Sequence, residues 1–495
     1  MSEAQFFGIL FFGGIALVLG LFAVVMQGAF MELASRFGHL LMPWVPAVAL
    51  GAGALTVALS KRSLQFDLFS SGADTLGDPS SSWINRVGNA LLLAVALAKV
   101  IQALFSQKSG RRPLWDYTPE QRANRRLFIA FLAFCVCSLI LPMLLSEHPA
   151  FDHDGLVAVP MFVAAYLARG ERLDGVIASA KWTLLLIMMG SLGVALIWPK
   201  IAIESNYLSG WIPGIHSRLW GLASHANHMG GLALYSMLFL SLQPIRRRPL
   251  NALAWLIAVS VLVLTQSKTS WFAALLTGAV VFVYRHGRDT RGGLRVEVIV
   301  LMLLGLSALA IGLEFIDTSN LLERFLDSDA GAGLTSLTGR TRIWAEAIKM
   351  WQESPVFGYG PEAWAPLHRM QIGLPTATQA HNQLLEALAV GGLASAVPMV
   401  IYFVMLAGAS LRAAGRTQGI SLGFFLVFAI RCLSETPLGI GNMVGGDVVI
   451  QLLLFMMVVN EAQAPLTIAT APVSNVSGAP LIMRPRHARA ETKQV

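Results

Sequence analysis

Apolar runs of about 20 residues recur from one end of the chain to the other. Most are apolar all round instead of along one stripe, the pattern of helices whose whole surface meets lipid or other helices. Thirteen runs are predicted spans: 6–25, 39–59, 88–105, 127–145, 155–168, 180–198, 229–243, 251–266, 270–284, 296–316, 384–411, 420–433 and 445–459. The run 155–168 is short, and Pro160 predicts a kink in it. The expected fold is an all-α polytopic membrane protein with about 12–13 transmembrane helices and one large helical loop on the outer side.

Positive charge punctuates this pattern. Arginines cluster at 111, 112, 122, 125 and 126, at 246–248, at 285, 288, 291 and 295, at 412 and 416, and at 484, 486 and 489. These basic connections are expected in the cytoplasm. From residue 106 onward they alternate with neutral or acidic intervals, which places 146–154, 199–228, 317–383 and 434–444 on the opposite, periplasmic side of a bacterial inner membrane. Before residue 106 the side of the N-terminus stays open, because Lys61 and Arg62 fall in a connection that strict alternation puts outside. The first apolar run lacks a basic leader and a small-residue cleavage site, and reads as a retained helix.

The predicted organisation is therefore N-terminal transmembrane helices over 1–316, a periplasmic loop over 317–383, C-terminal transmembrane helices over 384–459 and a disordered cytoplasmic tail over 460–495. Inside the long loop, Thr341 is expected to cap a helix with Ile343, Trp344, Ala347, Ile348 and Trp351 on its apolar face, ended by Ser354-Pro355. That face suits either the bilayer surface or the top of the bundle.

Composition narrows the function classes. The chain has 495 residues, 55% hydrophobic and 13% charged, and its formal charge of +8 is spread over short loops instead of one folded face, which excludes a nucleic-acid-binding domain. Cys135, Cys137 and Cys432 all lie in apolar runs and make neither a disulfide framework nor a metal set. No glycine-rich phosphate loop follows a strand.

Candidate chemistry gathers where polar residues meet the ends of spans on the outer side. Residues 381–386 put His381, Asn382 and Glu386 at the mouth of an apolar helix. The other outer clusters are Arg218 to His228, Gln266 to Ser270 with Lys268, and Gly339 to Trp344 with Arg340 and Arg342. Cations on this face run against the charge bias. Arg218, Lys268 and Arg340 together suit a cradle for an anion such as a diphosphate. His225, His228 and Asn227 read as a structural hydrogen-bond network. At a helix start beside arginines, His381 is expected to be favoured as the neutral imidazole, the form that can act as a base, with capping of the helix as its alternative role. Glu386, one turn after Asn382, can fix that amide or orient a sugar, or can be a buried carboxylate paired with a distant base.

The ordered set Arg218–Asn227, Ser267-Lys268-Thr269, Gly339-Arg340 with Ile343-Trp344, Pro355–Gly360, and His381-Asn382 with Leu385 and Gly391 resembles the O-antigen ligase and Wzy-type polysaccharide polymerase superfamily, over roughly residues 210–400. The resemblance implies a metal- and cofactor-independent glycosyltransferase that moves a glycan from an undecaprenyl-diphosphate carrier to an acceptor hydroxyl. The acceptor is a glycan, in a polymerase of exopolysaccharide or O-antigen repeat units, or lipid A core, in a ligase; the polymerase is the favoured expectation. It further implies His381 as the catalytic residue, Arg218, Lys268 and Arg340 on the diphosphate, and Asn227, Arg342, Asn382 and Glu386 in support. Export or chain-length proteins are expected partners, alongside membrane lipids. The family usually has arginine where this chain has Lys268, which keeps the charge and loses the fork.

Two rival classes stand beside this reading. A metal hydrolase would draw on His148, Asp152, His153 and Asp154 with His216, His225 and His228, but their spacing fits no familiar zinc motif. A transporter would use Lys99, Glu386, Arg431 and Glu435 to line a pathway, against which stand the long structured outer loop and the absence of a repeat.

Overall fold

The computed structural model describes residues 36–60, 62–64, 79–106, 118–151, 154–205, 214–286 and 340–461, with a few isolated positions besides. The expected spans 6–25 and 296–316 and the tail beyond residue 461 lie outside the described residues. Every other predicted span falls on a helix: α1 (Val45–Ala58), α2 (Pro79–Ser106), α3 (Pro119–Cys135), α4 (Ala158–Leu167), α5 (Asp174–Ile197), α6 (Ala226–Leu242), α7 (Arg248–Leu264), α8 (Lys268–His286), α10 (Gln383–Ala414), α11 (Ile420–Cys432) and α12 (Asp447–Val459), with α9 (Arg340–Glu353) standing in the long loop. Four of these spans are long and apolar enough to cross a bilayer by length alone. The protein is an all-α multi-pass membrane protein, and its outer surface carries Leu186, Leu256, Leu275 and Val404 as lipid demands.

Local chemistry sets the helix limits. Thr118 and Gln121 form a reciprocal capping box at the start of α3, with Pro119 at its first position. The helix passes through a π turn at Val136–Ile140 and runs on to Leu145. Pro160 falls in the first turn of α4, where its missing N–H removes no helical hydrogen bond, so the expected interior kink does not form; the irregular part is the 3-10 turn Asp154–Val157 before it. Aromatic rings from three segments close the centre, with Phe131 stacked on Phe162 at 3.9 Å and both packed against Phe455.

The connections sort to two ends. At one end Arg416 pairs with Glu120 and caps the carbonyls of Met457 and Val458, Arg285 donates to Ser241, and Arg169 meets Glu461. At the other, the intervals predicted to lie outside meet one another: the amide of His148 donates to Tyr359, and Gln379 reaches Glu435. Arg62 joins this second end. It donates to the carbonyls of Ile201, Ala223 and Gly221 at 2.6–2.8 Å, so the basic residue that broke the alternation is a buried strut of the outer layer.

The loop helix α9 lies on α10. Ala347 and Met350 are buried beneath it, and the Trp344 indole donates to the carbonyl of Ala380 at 2.9 Å, so its apolar face covers protein. Thr341 is already inside the helix, whose described part begins at Arg340, and does not serve as its cap. The helix ends at Glu353, as Ser354-Pro355 predicts.

The segment Pro355–Gly360 explains the one break in α10. Gly392 has φ 60° and ψ −158°, and the amides of Leu393 and Ala394 turn to the carbonyls of Pro355 and Val356. The carbonyls of Ala389 and Val390 accept from Tyr359 and Gly360 in return. Gly358, at φ 71°, approaches so closely that a Cβ there would sit 2.6 Å from the amides of Gly391 and Gly392. The inserted loop thus satisfies the backbone of a broken helix.

Candidate functional site

Three segments of this second end converge on Glu435, in the turn between α11 and α12. Its Oε1 accepts from Asn227 Nδ2 at 2.8 Å and Arg340 Nη2 at 3.3 Å; its Oε2 accepts from Gln379 Nε2 at 2.8 Å and faces His381 Nδ1 at 3.1 Å. Burial alone would raise this carboxyl. The hydrogen bond from His381 and the charge of Arg340 outweigh that and hold Glu435 well below the usual carboxylate range. Glu435 is therefore an anion that fixes the imidazole through Nδ1, leaving Nε2 as the ring's basic position.

His381 itself has φ 49°, in the left-handed region that a side chain seldom adopts. It does not cap the helix. Asn382 does, its Oδ1 accepting from the amides of Leu384 and Leu385 at 3.1 Å. The capping role considered for His381 is corrected accordingly, and a carboxylate that the sequence expectation did not include sits against its ring. Asn382 is a structural support for the junction.

Arg218 is built into the same end by a short hairpin. β1 (Ile203–Ser205) pairs antiparallel with β2 (Ser217–Leu219), and the register sets Glu204 directly opposite Arg218. The guanidinium pairs with Glu204, which also accepts from the Trp220 indole at 2.7 Å, and stacks 4.2 Å from the centre of the Tyr207 ring. Its Nη2 lies 3.4 Å from His225 Nε2. Burial, then Arg218, push His225 down to about 3, so the ring is neutral near pH 7. Its Nδ1 accepts the Asn227 amide as the cap of α6, which leaves the proton on Nε2. Two N–H donors, from Arg218 and His225, then face one another beside a helix N-terminus, a geometry that an anion between them would satisfy.

The other predicted residues are placed less centrally. Lys268 opens α8 two residues after Gln266, whose amide donates to the carbonyls of Ile215 and Ser217 beside Arg218; the hydrogen bonds of Glu435 do not include it. Arg342 is exposed, with its guanidinium beside Gly373. Glu386 neither fixes the Asn382 amide nor pairs with a base: one of its oxygens accepts the Ala380 amide at 2.6 Å. His228 sits apart from Glu435, 3.2 Å from Ser224 Oγ and 3.8 Å from Asp447.

Sequence reasoning missed Glu435 as a site residue, together with Gln379 and Glu204. Glu435 had been counted with Arg431 as a pathway charge. The signal was there: Glu204 and Glu435 are the single acidic residues of the intervals 199–228 and 434–444, and each partners an expected site cation.

Residues 252–400 match the family model described as O-antigen ligase, a stretch that takes in Lys268, Arg340 and His381. No curated protein matches the chain.

Proposed function

We propose that the protein transfers a glycan from an undecaprenyl-diphosphate carrier to a sugar hydroxyl on the periplasmic face of the inner membrane, a reading supported by the match of residues 252–400 to the O-antigen ligase family model. The observation that carries this reading is the His381–Glu435 pair with Arg340 on the same carboxylate and Asn227 linking it to the His225–Arg218 edge. It joins a base to cations, the two things such a displacement needs.

The chemistry follows from those groups. The acceptor hydroxyl gives its proton to His381 Nε2 as its oxygen bonds to the anomeric carbon. The bond from that carbon to the diphosphate oxygen breaks, and the electron pair leaves on the diphosphate. Arg218 and Arg340, with the His225 N–H, stabilise the charge that grows there. Glu435 holds the ring in its reactive tautomer and stabilises the imidazolium as it forms. Lys268, two residues after the Gln266 that bonds the segment of Arg218, is assigned to the diphosphate with Arg342 as an outlying support, and Glu386 is assigned to orienting a sugar.

Within this chemistry the polymerase reading is preferred, and a deletion strain tests it. Accumulated single lipid-linked repeats support a polymerase, accumulated long lipid-linked chains a ligase. Normal surface glycan in that strain, with counterflow of an unmodified substrate in vesicles, would replace both with a transporter.

A further inference from the structure

Beside the Glu435 cluster lies a cavity of about 610 Å³ that the transfer chemistry above does not use. Its volume falls in the range of small-molecule sites, about 300–1,000 Å³. Its walls are sequence neighbours of the cluster: Thr436 follows Glu435, and Gln383 and Glu386 occupy the first turn after His381. Gln379 stands between the two, donating to Glu435 through Nε2 and accepting the Thr436 hydroxyl through Oε1.

The two compartments differ in charge. Among the described residues no arginine or lysine lines the cavity, whereas Glu386, Asp447, Asn442, Ser138 and Trp364 do. A phosphate would meet no cation there. A hydrocarbon chain would bury amides and a carboxylate against carbon. Neutral hydroxyls suit both constraints. Glu386 has one oxygen on the Ala380 amide and the capacity to accept more, and Asn442 accepts the Val444 amide through Oδ1, which leaves its two N–H donors for a guest. The Trp364 ring supplies an apolar wall for the C–H face of a sugar ring.

The geometry points to this cavity as the subsite for the acceptor sugar, with Glu386 and Asn442 as its hydroxyl-reading residues; the assignment rests on the glycan-transfer reading of the neighbouring cluster. The acceptor enters from the cavity side and the diphosphate is held from the cationic side, so that His381 stands at the boundary between them.

The test uses the full chain in detergent and a labelled oligosaccharide released from the strain's own surface polysaccharide. Saturable binding is expected, weakened about tenfold or more by Glu386→Gln and by Asn442→Ala, each through the loss of a hydrogen bond to a sugar hydroxyl. Glu386→Gln keeps an oxygen for the Ala380 amide and so preserves the local fold. In transfer assays the same variants should raise KM for the acceptor and leave KM for the lipid diphosphate donor unchanged. No saturable binding, equal binding by both variants, or displacement of the sugar by a short polyprenyl phosphate overturns the subsite. Sugar binding without any turnover of a lipid diphosphate supports the cavity and removes the enzyme reading; turnover with unaltered acceptor KM in both variants does the reverse.

Discussion

Two carboxylates of this protein, the buried Glu435 and the half-buried Asp447, each meet an arginine, and the sequence offers no reason to treat them differently. Asp447, at the start of α12, takes both terminal nitrogens of Arg431 in a bidentate pair at 2.5 and 3.2 Å. Arg431 is packed so tightly on α6 that a Cβ at Gly231 would lie 3.2 Å from its Nε. That pair consumes both charges and ties three helices together. Glu435 is arranged in the opposite way: one oxygen meets a single nitrogen of Arg340, and amides and an imidazole fill the rest of its capacity. Among the described residues, Arg340 is left with most of its five N–H donors uncommitted. A closed pair holds the bundle; an open one keeps a cation for a ligand. The transporter reading grouped Arg431 with Glu435 as pathway charges, and the geometry separates them.

The sharpest attack on this contrast is at its chemical end. His381→Ala should leave the protein at normal level in the membrane and lower glycan product by about a hundredfold or more, the scale of a lost general base. Normal polymer length and yield in that variant would refute the role of His381. The paired substitutions Asp447→Asn and Glu435→Gln come next. The first strands a buried guanidinium and should cost roughly 3–5 kcal/mol, read as a lower thermal midpoint and less protein in the membrane. The second should keep the fold near normal and lower turnover by about tenfold or more, through a misdirected imidazole. An exchange of those two phenotypes would break the comparison.

Arg340→Lys sharpens it further. Charge is kept and the fork is lost, so KM for the lipid diphosphate should rise several-fold while acceptor use changes little; equal loss on both substrates counts against donor contact. The smallest effect concerns pH. His225 is lowered to about 3 from an ordinary value of 6.5, so the unfolded chain binds its proton first. The stability it contributes is complete above pH 6.5 and is lost as pH falls toward 3. Glu435 acts in the same direction, its contribution vanishing as pH drops below the ordinary carboxylate range. The thermal midpoint of the solubilised protein should therefore fall between pH 7 and pH 4, and His225→Gln should flatten the upper part of that fall. A midpoint that rises on acidification contradicts the sign.

Much of the molecule was legible from its residues. Lipid leaves a chain no choice but to bond its own backbone, so an apolar run of sufficient length is a helix whatever surrounds it. Charge bias then sorted the loops, and Arg218, Arg340 and His381 were assigned to one face on that basis alone. The failures share a cause. Thr341 was taken as a cap because capping residues look alike inside and outside a helix. His381 and Asn382 are adjacent, and only backbone geometry decides which of them caps. The Arg62 exception needed the carbonyls of a segment more than 130 positions away.

By itself, then, the sequence determined the helices and the chemical types gathered at one end of the bundle, because those depend on local apolar length and on charge. Tertiary structure decided which carboxylate faces His381, how β1 aims Glu204 at Arg218, and why Pro355–Gly360 carries its glycines. Each of those is a contact between segments far apart in the chain, and it is fixed by the packing of helices whose relative placement no single run encodes.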